Sequence, residues 1–218
     1  MMHTKSESDP ARFAQVYESP ETTHFSVVDK DGNMVSLTYT LEHGYGSKMV
    51  VEGAGFLLNN EMGDFNAQPG VTDDQGTIGT EPNQIRPQQR MLSSMTPTIV
   101  AKDRVPLFAT GTPGGRTIIN TTMQTILNVI DFDMNIARAI DAPRIHHQWL
   151  PDSTRMESGA FSADTLRLYE RRGHTISESG QIGSAMGVYR DPDTGLSLIH
   201  ISEPTRRTPI SYAVFCLK

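Results

Sequence analysis

The chain has 218 residues, 37% of them hydrophobic and 20% charged, and carries a formal net charge of −6. That length supports one packed domain, and the acidic balance argues against a nucleic-acid binder, which relies on clustered basic charge. The single cysteine, Cys216, excludes an internal disulfide, and no apolar stretch reaches the roughly eighteen residues of a transmembrane helix.

The first stretch, Met1 to Glu21, is polar and contains proline, which predicts a flexible lead-in; Met1 to Ala14 holds no secretory apolar region. A hairpin follows. Phe25, Val27 and Val28 are strand formers, Asp31-Gly32 is a turn signal, and Val35, Leu37, Tyr39 and Leu41 then alternate with period two. A hairpin of this length sets Thr40 across from Thr22, close enough to orient its hydroxyl. A threonine hydroxyl is a poor nucleophile until a base is beside it, and a freed N-terminal amine with a pKa near about 8 is such a base. Thr22 supplies both groups if the chain is cut before it.

Further along, Glu61 and Asp64 stand three apart in NNEMGDF, and Ser93-Ser94 lie in LSSM. Thr98 to Ala101 and Leu107 to Thr110 predict a second hairpin around Lys102-Asp103-Arg104. Thr112-Pro113-Gly114-Gly115 then separates that strand from a helix marked by Ile118, Ile119, Met123, Ile126, Leu127 and Ile130 at helical spacing. Glycines at such a junction let backbone N–H groups approach a ligand, and the helix start adds partial positive charge. Ser162 is a candidate N-cap for a helix with Leu166 and Tyr169 facing inward and Gly173 ending it. His146-His147 and His24 lack a matching pair or carboxylate at ligand spacing, so no metal is expected; His147 and Trp149 are expected to pack or hydrogen-bond near the surface. Periodicity alone supports mixed α and β structure.

Six runs in one order carry more information than any single motif. They are TTHFSVVDKDGN from Thr22, Thr38-Tyr39-Thr40, GFLLNNEMGDF from Gly55, RMLSSMTPTIV from Arg90, GTPGG from Gly111 and APRIHHQWLPD from Ala142. Together they closely resemble the small subunit of γ-glutamyltransferases (γ-glutamyltranspeptidases), from about Thr22 to about Gly195. The resemblance implies an α+β fold, the four-layer αββα sandwich of N-terminal-nucleophile hydrolases, incomplete without a large subunit of the same precursor. It implies self-cleavage between Glu21 and Thr22, with Thr22 as nucleophile, Thr23 as its rival by position only, and Thr40 beside it. Gly114 and Gly115 inherit the oxyanion hole. Glu61 and Asp64 match the positions that grip the substrate α-amino group, and Ser93 and Ser94 the pair that binds its α-carboxylate. Glu42 stands where many members carry asparagine and others glutamate, a second carboxylate near the amino group.

The implied activity is γ-glutamyl transfer or hydrolysis on glutathione-like compounds, with an amino-acid or peptide acceptor, no cofactor and no metal. The alternatives are a glutaryl or cephalosporin-type acylase, whose substrate lacks the α-amine, and an inactive orphan fragment. Relatives in bacteria imply a periplasmic or secreted location for the intact protein. The expected division is 1–21 as a large-subunit remnant, 22–196 as the catalytic domain and 197–218 as a tail with no family pattern, so no role is assigned to Arg206, Arg207 or Cys216. Val71 to Arg86 follows the stretch that forms a lid in some members, without a clear lid motif.

Overall fold

The computed structural model describes residues 21–66, 68–192, 194–195 and 197–201. The readings made for residues 1–20, for Arg206 and Arg207 and for Cys216 lie outside them.

Strands β1 (Thr23–Val28) and β2 (Met34–Tyr39) form the expected antiparallel hairpin, in register from Thr23 opposite Tyr39 to Val28 opposite Met34. The Asp29 carboxylate ties the turn by accepting from the Asp31 and Asn33 amides, while Gly32 takes the left-handed backbone that L-residues avoid. The alternation along both strands is real, but its apolar side faces outward. Phe25, Val27, Val35, Leu37 and Tyr39 are all exposed, and His24, Ser26, Ser36 and Thr38 share the inner face.

That inner face lies on a four-stranded antiparallel sheet. Its order is β3 (Thr98–Lys102), β4 (Val105–Gly111), β8 (Met186–Arg190) and β9 (Ser197–Ile201). The β3–β4 connection is the predicted tight turn, with Asp103 and Arg104 both at positive φ, as a two-residue hairpin loop requires. The tail expected to begin at Ser197 contributes its first five residues to the sheet as β9.

On the opposite face of this sheet lie α1 (Ile118–Ile130) and α2 (Ile136–Asp141), the latter capped by the Asn135 side chain accepting from the Arg138 amide. Between helices and sheet sits the apolar core. Phe108, Ile136, Ile140 and Ala185 are buried, with Val100, Leu107, Ile126, Val129 and Tyr189 packed around them. Helix α1 repeats the inversion of the hairpin only in part, since Ile118, Ile126 and Val129 face the core. Thr121, Thr122 and Thr125 are buried, whereas Ile119, Met123, Leu127 and Ile130 form an exposed stripe at helical spacing. The described residues thus supply a helical layer and two sheet layers, three of the four in the expected sandwich.

A smaller sheet orders β5 (Ile145–His146), β6 (Thr154–Glu157) and β7 (Ile176–Ser179), and α3 (Ala163–Arg171) makes the parallel crossover from β6 to β7. Ser162 caps α3 by accepting from the Thr165 amide, Leu166 and Tyr169 turn inward, and Gly173 follows at φ +89°. Arg144 stitches this sheet to the rest. Buried, it donates to the carbonyls of Ile140 and Ile182 and pairs with Glu157 at 3.5 Å, while Glu157 accepts from the Ile182 amide at 2.8 Å. This network fixes the 180–185 loop that backs the site.

Candidate active site

Thr22 is half-buried immediately before β1, still joined to Glu21 through its backbone nitrogen. The register that pairs Thr23 with Tyr39 places Thr22 opposite Thr40, one step beyond the ladder. Thr40 makes a contact that the sequence does not show. Its Oγ1 accepts from the Glu42 amide at 2.9 Å, holding the first residue of the acidic cluster against the end of the hairpin.

Glu42 adopts φ +74°, a strained conformation for a residue with a Cβ, and its carboxylate rests against Gly63. Glu61 and Asp64 lie on the 3₁₀ turn Glu61–Asp64, so residues distant in sequence converge. One carboxylate oxygen from each of Glu42, Glu61 and Asp64 falls within 4.8 Å of the others. Glu61 is only 8% exposed, and its Oε1 has no hydrogen-bond partner. Burial, then the charges of Asp64 and Glu42, push the Glu61 carboxyl up to about 7. Burial and the Glu42 charge push Asp64 up to about 6, with the Arg116 guanidinium pulling the other way. Convergent carboxylates held this close repel one another and favour a cationic partner. Three convergent acceptors match the three N–H donors of an ammonium group. They are also the one grouping of three side chains with metal-ligating reach among the described residues.

The glycine loop leaves the end of β4 and enters α1 through the 3₁₀ turn Gly115–Thr117. Gly114 sits at φ +139° and Gly115 at +55°. No side chain fits at Gly114, where a Cβ would stand 2.6 Å from Thr117 Oγ1 and 3.3 Å from the Gly183 Cα. The Gly114 carbonyl is occupied by the Thr117 amide and hydroxyl at 3.0 and 2.7 Å. Thr112 Oγ1 accepts from the Ser184 amide, so the loop is braced from behind by the segment that Arg144 and Glu157 hold. Rigid backing of this sort is what a fixed set of backbone donors needs.

Ser93 and Ser94 lie just before β3; Ser93 is exposed and its hydroxyl accepts from the Met95 amide, and Ser94 is half-buried. Among the described residues, no hydrogen bond or ion pair joins them to the acidic cluster. Two further residues stand in the site, Arg116, which the sequence reading did not name, and His24, which it considered only as a metal ligand. Arg116, directly after Gly115, acts on Asp64 through its charge and donates to the Gly76 carbonyl at 3.1 Å, tying the 71–79 loop to the glycine loop. His24 lies beneath the hairpin against Gly111. Of the paired histidines, His146 is buried and bonded to Gln148 and Asn120, while His147 pairs with Asp152 at the surface, beside an exposed Trp149.

Comparison with known proteins identifies the lineage. The sequence pattern described as "Gamma-glutamyltranspeptidase" matches residues 2–213. This chain belongs to the gamma-glutamyltranspeptidase family. It is 49% identical over 188 residues to the glutathione hydrolase proenzyme of Escherichia coli, covering 86% of this chain and 32% of that protein. The proenzyme of Pseudomonas aeruginosa is 51% identical over 194 residues, covering 87% of this chain and 34% of its own length. The chain therefore spans about a third of the length of the curated relatives it matches. Among solved structures, an acivicin-inhibited gamma-glutamyltranspeptidase, reported with roles for its C-terminus in autoprocessing and catalysis, superposes with a TM-score of 0.73 at 44% identity. The alignment covers 83% of this chain and 96% of that one. The α+β, N-terminal-nucleophile hydrolase type of fold is thereby established.

Proposed function

We propose that the precursor carrying this chain is a γ-glutamyltransferase that hydrolyses or transfers γ-glutamyl groups from glutathione-like compounds through Thr22. The observation that carries this reading is the Glu42–Glu61–Asp64 cluster with its orphaned Glu61 Oε1, which calls for a cationic group at one end of the substrate. A γ-glutamyl donor has its α-ammonium there. A glutaryl side chain has none, which weighs against the acylase alternative.

Cleavage between Glu21 and Thr22 converts the Thr22 amide nitrogen, which is no base, into an amine. That amine takes the hydroxyl proton as Oγ1 attacks the γ-carbonyl carbon. The oxyanion is received by the backbone N–H groups of Gly114 and Gly115, with Thr40 orienting the nucleophile and Ser93 and Ser94 donating to the α-carboxylate. The C–N bond breaks, the amine returns its proton to the departing nitrogen, and a γ-glutamyl ester remains on Thr22. Water resolves the ester in hydrolysis, an acceptor amine in transfer. No step calls for a cofactor or a metal.

The same reading assigns residues 22–196 to the catalytic domain, 1–21 to the end of a large subunit and 197–218 to a tail. The names of the proenzyme relatives support a large subunit of the same precursor as partner. No described helix is long and apolar enough to cross a membrane, and we place the intact protein in the periplasm or outside the cell.

The test is Thr22→Ala in the complete precursor. It is expected to abolish both cleavage before residue 22 and turnover of a γ-glutamyl anilide, a loss of at least about 10³-fold. Persistent activity in that variant, or preference for a glutaryl over a γ-glutamyl anilide in the unmodified protein, would overturn the reading.

A further inference from the structure

His24 faces inward from β1, with its ring against the backbone of Gly111 at the end of β4. It is 2% exposed. Its Nδ1 lies 2.8 Å from Thr38 Oγ1 across the hairpin, and its Nε2 lies 2.9 Å from Ser26 Oγ on the same strand. Burial lowers its pKa to about 4, so the ring is neutral at physiological pH, with one nitrogen donating and the other accepting. Both nitrogens are therefore engaged, and neither is available as a base for Thr22. What the ring does instead is fill space against one particular residue. A Cβ placed on Gly111 would fall 2.3, 2.5 and 2.9 Å from three atoms of the imidazole, so Gly111 is kept bare for it. Gly111 ends β4 and begins the loop to Gly114 and Gly115. His24 stands two residues after Thr22. Beside it, Ser36 Oγ donates to the Thr110 carbonyl at 3.0 Å, a second tie across the same seam.

We propose that His24 is a positioning residue for acyl transfer, holding the strand that carries Thr22 in register with the loop that carries Gly114 and Gly115. The inference rests on the reading of Thr22 as nucleophile. The hydroxyls of Thr38 and Ser26 orient the imidazole, and its contact with Gly111 sets the separation between the attacking oxygen and the backbone donors. A displacement of about 1 Å in such a separation costs roughly 10²-fold in rate. Substrate affinity is governed elsewhere, by the acidic cluster.

The experiment compares the complete precursor with His24→Ala, Thr38→Val and Thr22→Ala. In each processed protein, active sites are titrated with a γ-glutamyl electrophile that esterifies Thr22, then kcat per titrated site and KM are measured with a γ-glutamyl anilide. His24→Ala is expected to lower kcat per site about 30–100-fold with KM within twofold, and Thr38→Val about 5–10-fold by freeing the ring to tilt. Thr38→Val keeps the side chain's volume and strand preference, and decides the matter should His24→Ala fail to fold. Unchanged kcat per site in the variants, with only fewer active sites or a lower Tm, shows the ring to be mere packing and overturns the proposal. A rise in KM at constant kcat overturns it equally. Turnover that survives in Thr22→Ala defeats instead the reading on which the proposal stands, and the positioning role with it.

Discussion

Two seams flank the central sheet, and they are built from opposite materials. On the helical side, Phe108, Ile136, Ile140 and Ala185 close an apolar core. On the hairpin side, the sheet meets His24, Ser26, Ser36 and Thr38, joined by hydrogen bonds to one another and to the Thr110 carbonyl. The first seam draws its strength from area removed from water, which is insensitive to direction. The second gains little per bond, but its bonds are directional, and it is the one that reaches Thr22 and the glycine loop. Stability and registration are thus assigned to different faces of one sheet.

Emptying the apolar seam should have the largest effect. Phe108→Ala is expected to destabilise the chain by about 3–5 kcal/mol in urea unfolding, and a loss under about 1 kcal/mol would mean that the helices do not depend on that core. A medium effect is expected at the acidic cluster. Glu61 has a folded-state pKa of about 7, above its ordinary 4.5, so the folded chain binds a proton that the unfolded chain releases between those values. The resulting stabilisation is complete below about pH 4.5 and is lost as pH rises through 7. Glu61→Gln should therefore raise stability at pH 8 by about 1–2 kcal/mol after solvent screening is allowed for, leave it unchanged at pH 4.5, and in the complete enzyme raise KM for a γ-glutamyl donor at least about tenfold. Equal pH–stability curves for the two proteins would show that the carboxyl titrates normally. The smallest effect belongs to the outward stripe of α1. Leu127→Gln should change the stability of this chain by no more than about 0.5 kcal/mol, and a larger loss would mean the stripe packs more than its exposure implies.

Much of this was legible from local signals. Asp31-Gly32, Asp103-Arg104, the Ser162 cap and the Gly173 stop are decided by a few adjacent residues, and each appears where its chemistry puts it. The αββα type came from motif order. Facing was harder to read. Period two in β1 and β2, and period 3.6 in α1, tell which residues share a side but not which side is covered; in the hairpin it is the polar side, and in α1 a mixed side of Ile118, Ile126 and Val129 with Thr121, Thr122 and Thr125. The convergence of Glu42 with Glu61 and Asp64 was suggested by resemblance, while the orphaned oxygen that gives the cluster its chemical meaning depends on burial. The place of His24 against Gly111 went unread, and Arg116 escaped notice, because Gly111 and the Gly76 carbonyl are brought to them only by the tertiary fold.

The connectivity of β4 also orders events in time. Its partner on one side, β3, is two residues away around the Asp103-Arg104 turn, whereas its partner on the other, β8, enters only after α1, α2 and the whole β5–β6–α3–β7 unit. Closing so long an intervening segment is entropically unfavourable until other contacts compensate. The nascent chain should therefore form its hairpins and the β6–α3–β7 crossover early and add β8 to β4 late. Because β8 is preceded by the segment that backs Gly114 with Gly183, the glycine loop should gain its support only late in folding, after the hairpin that begins beside Thr22 has formed.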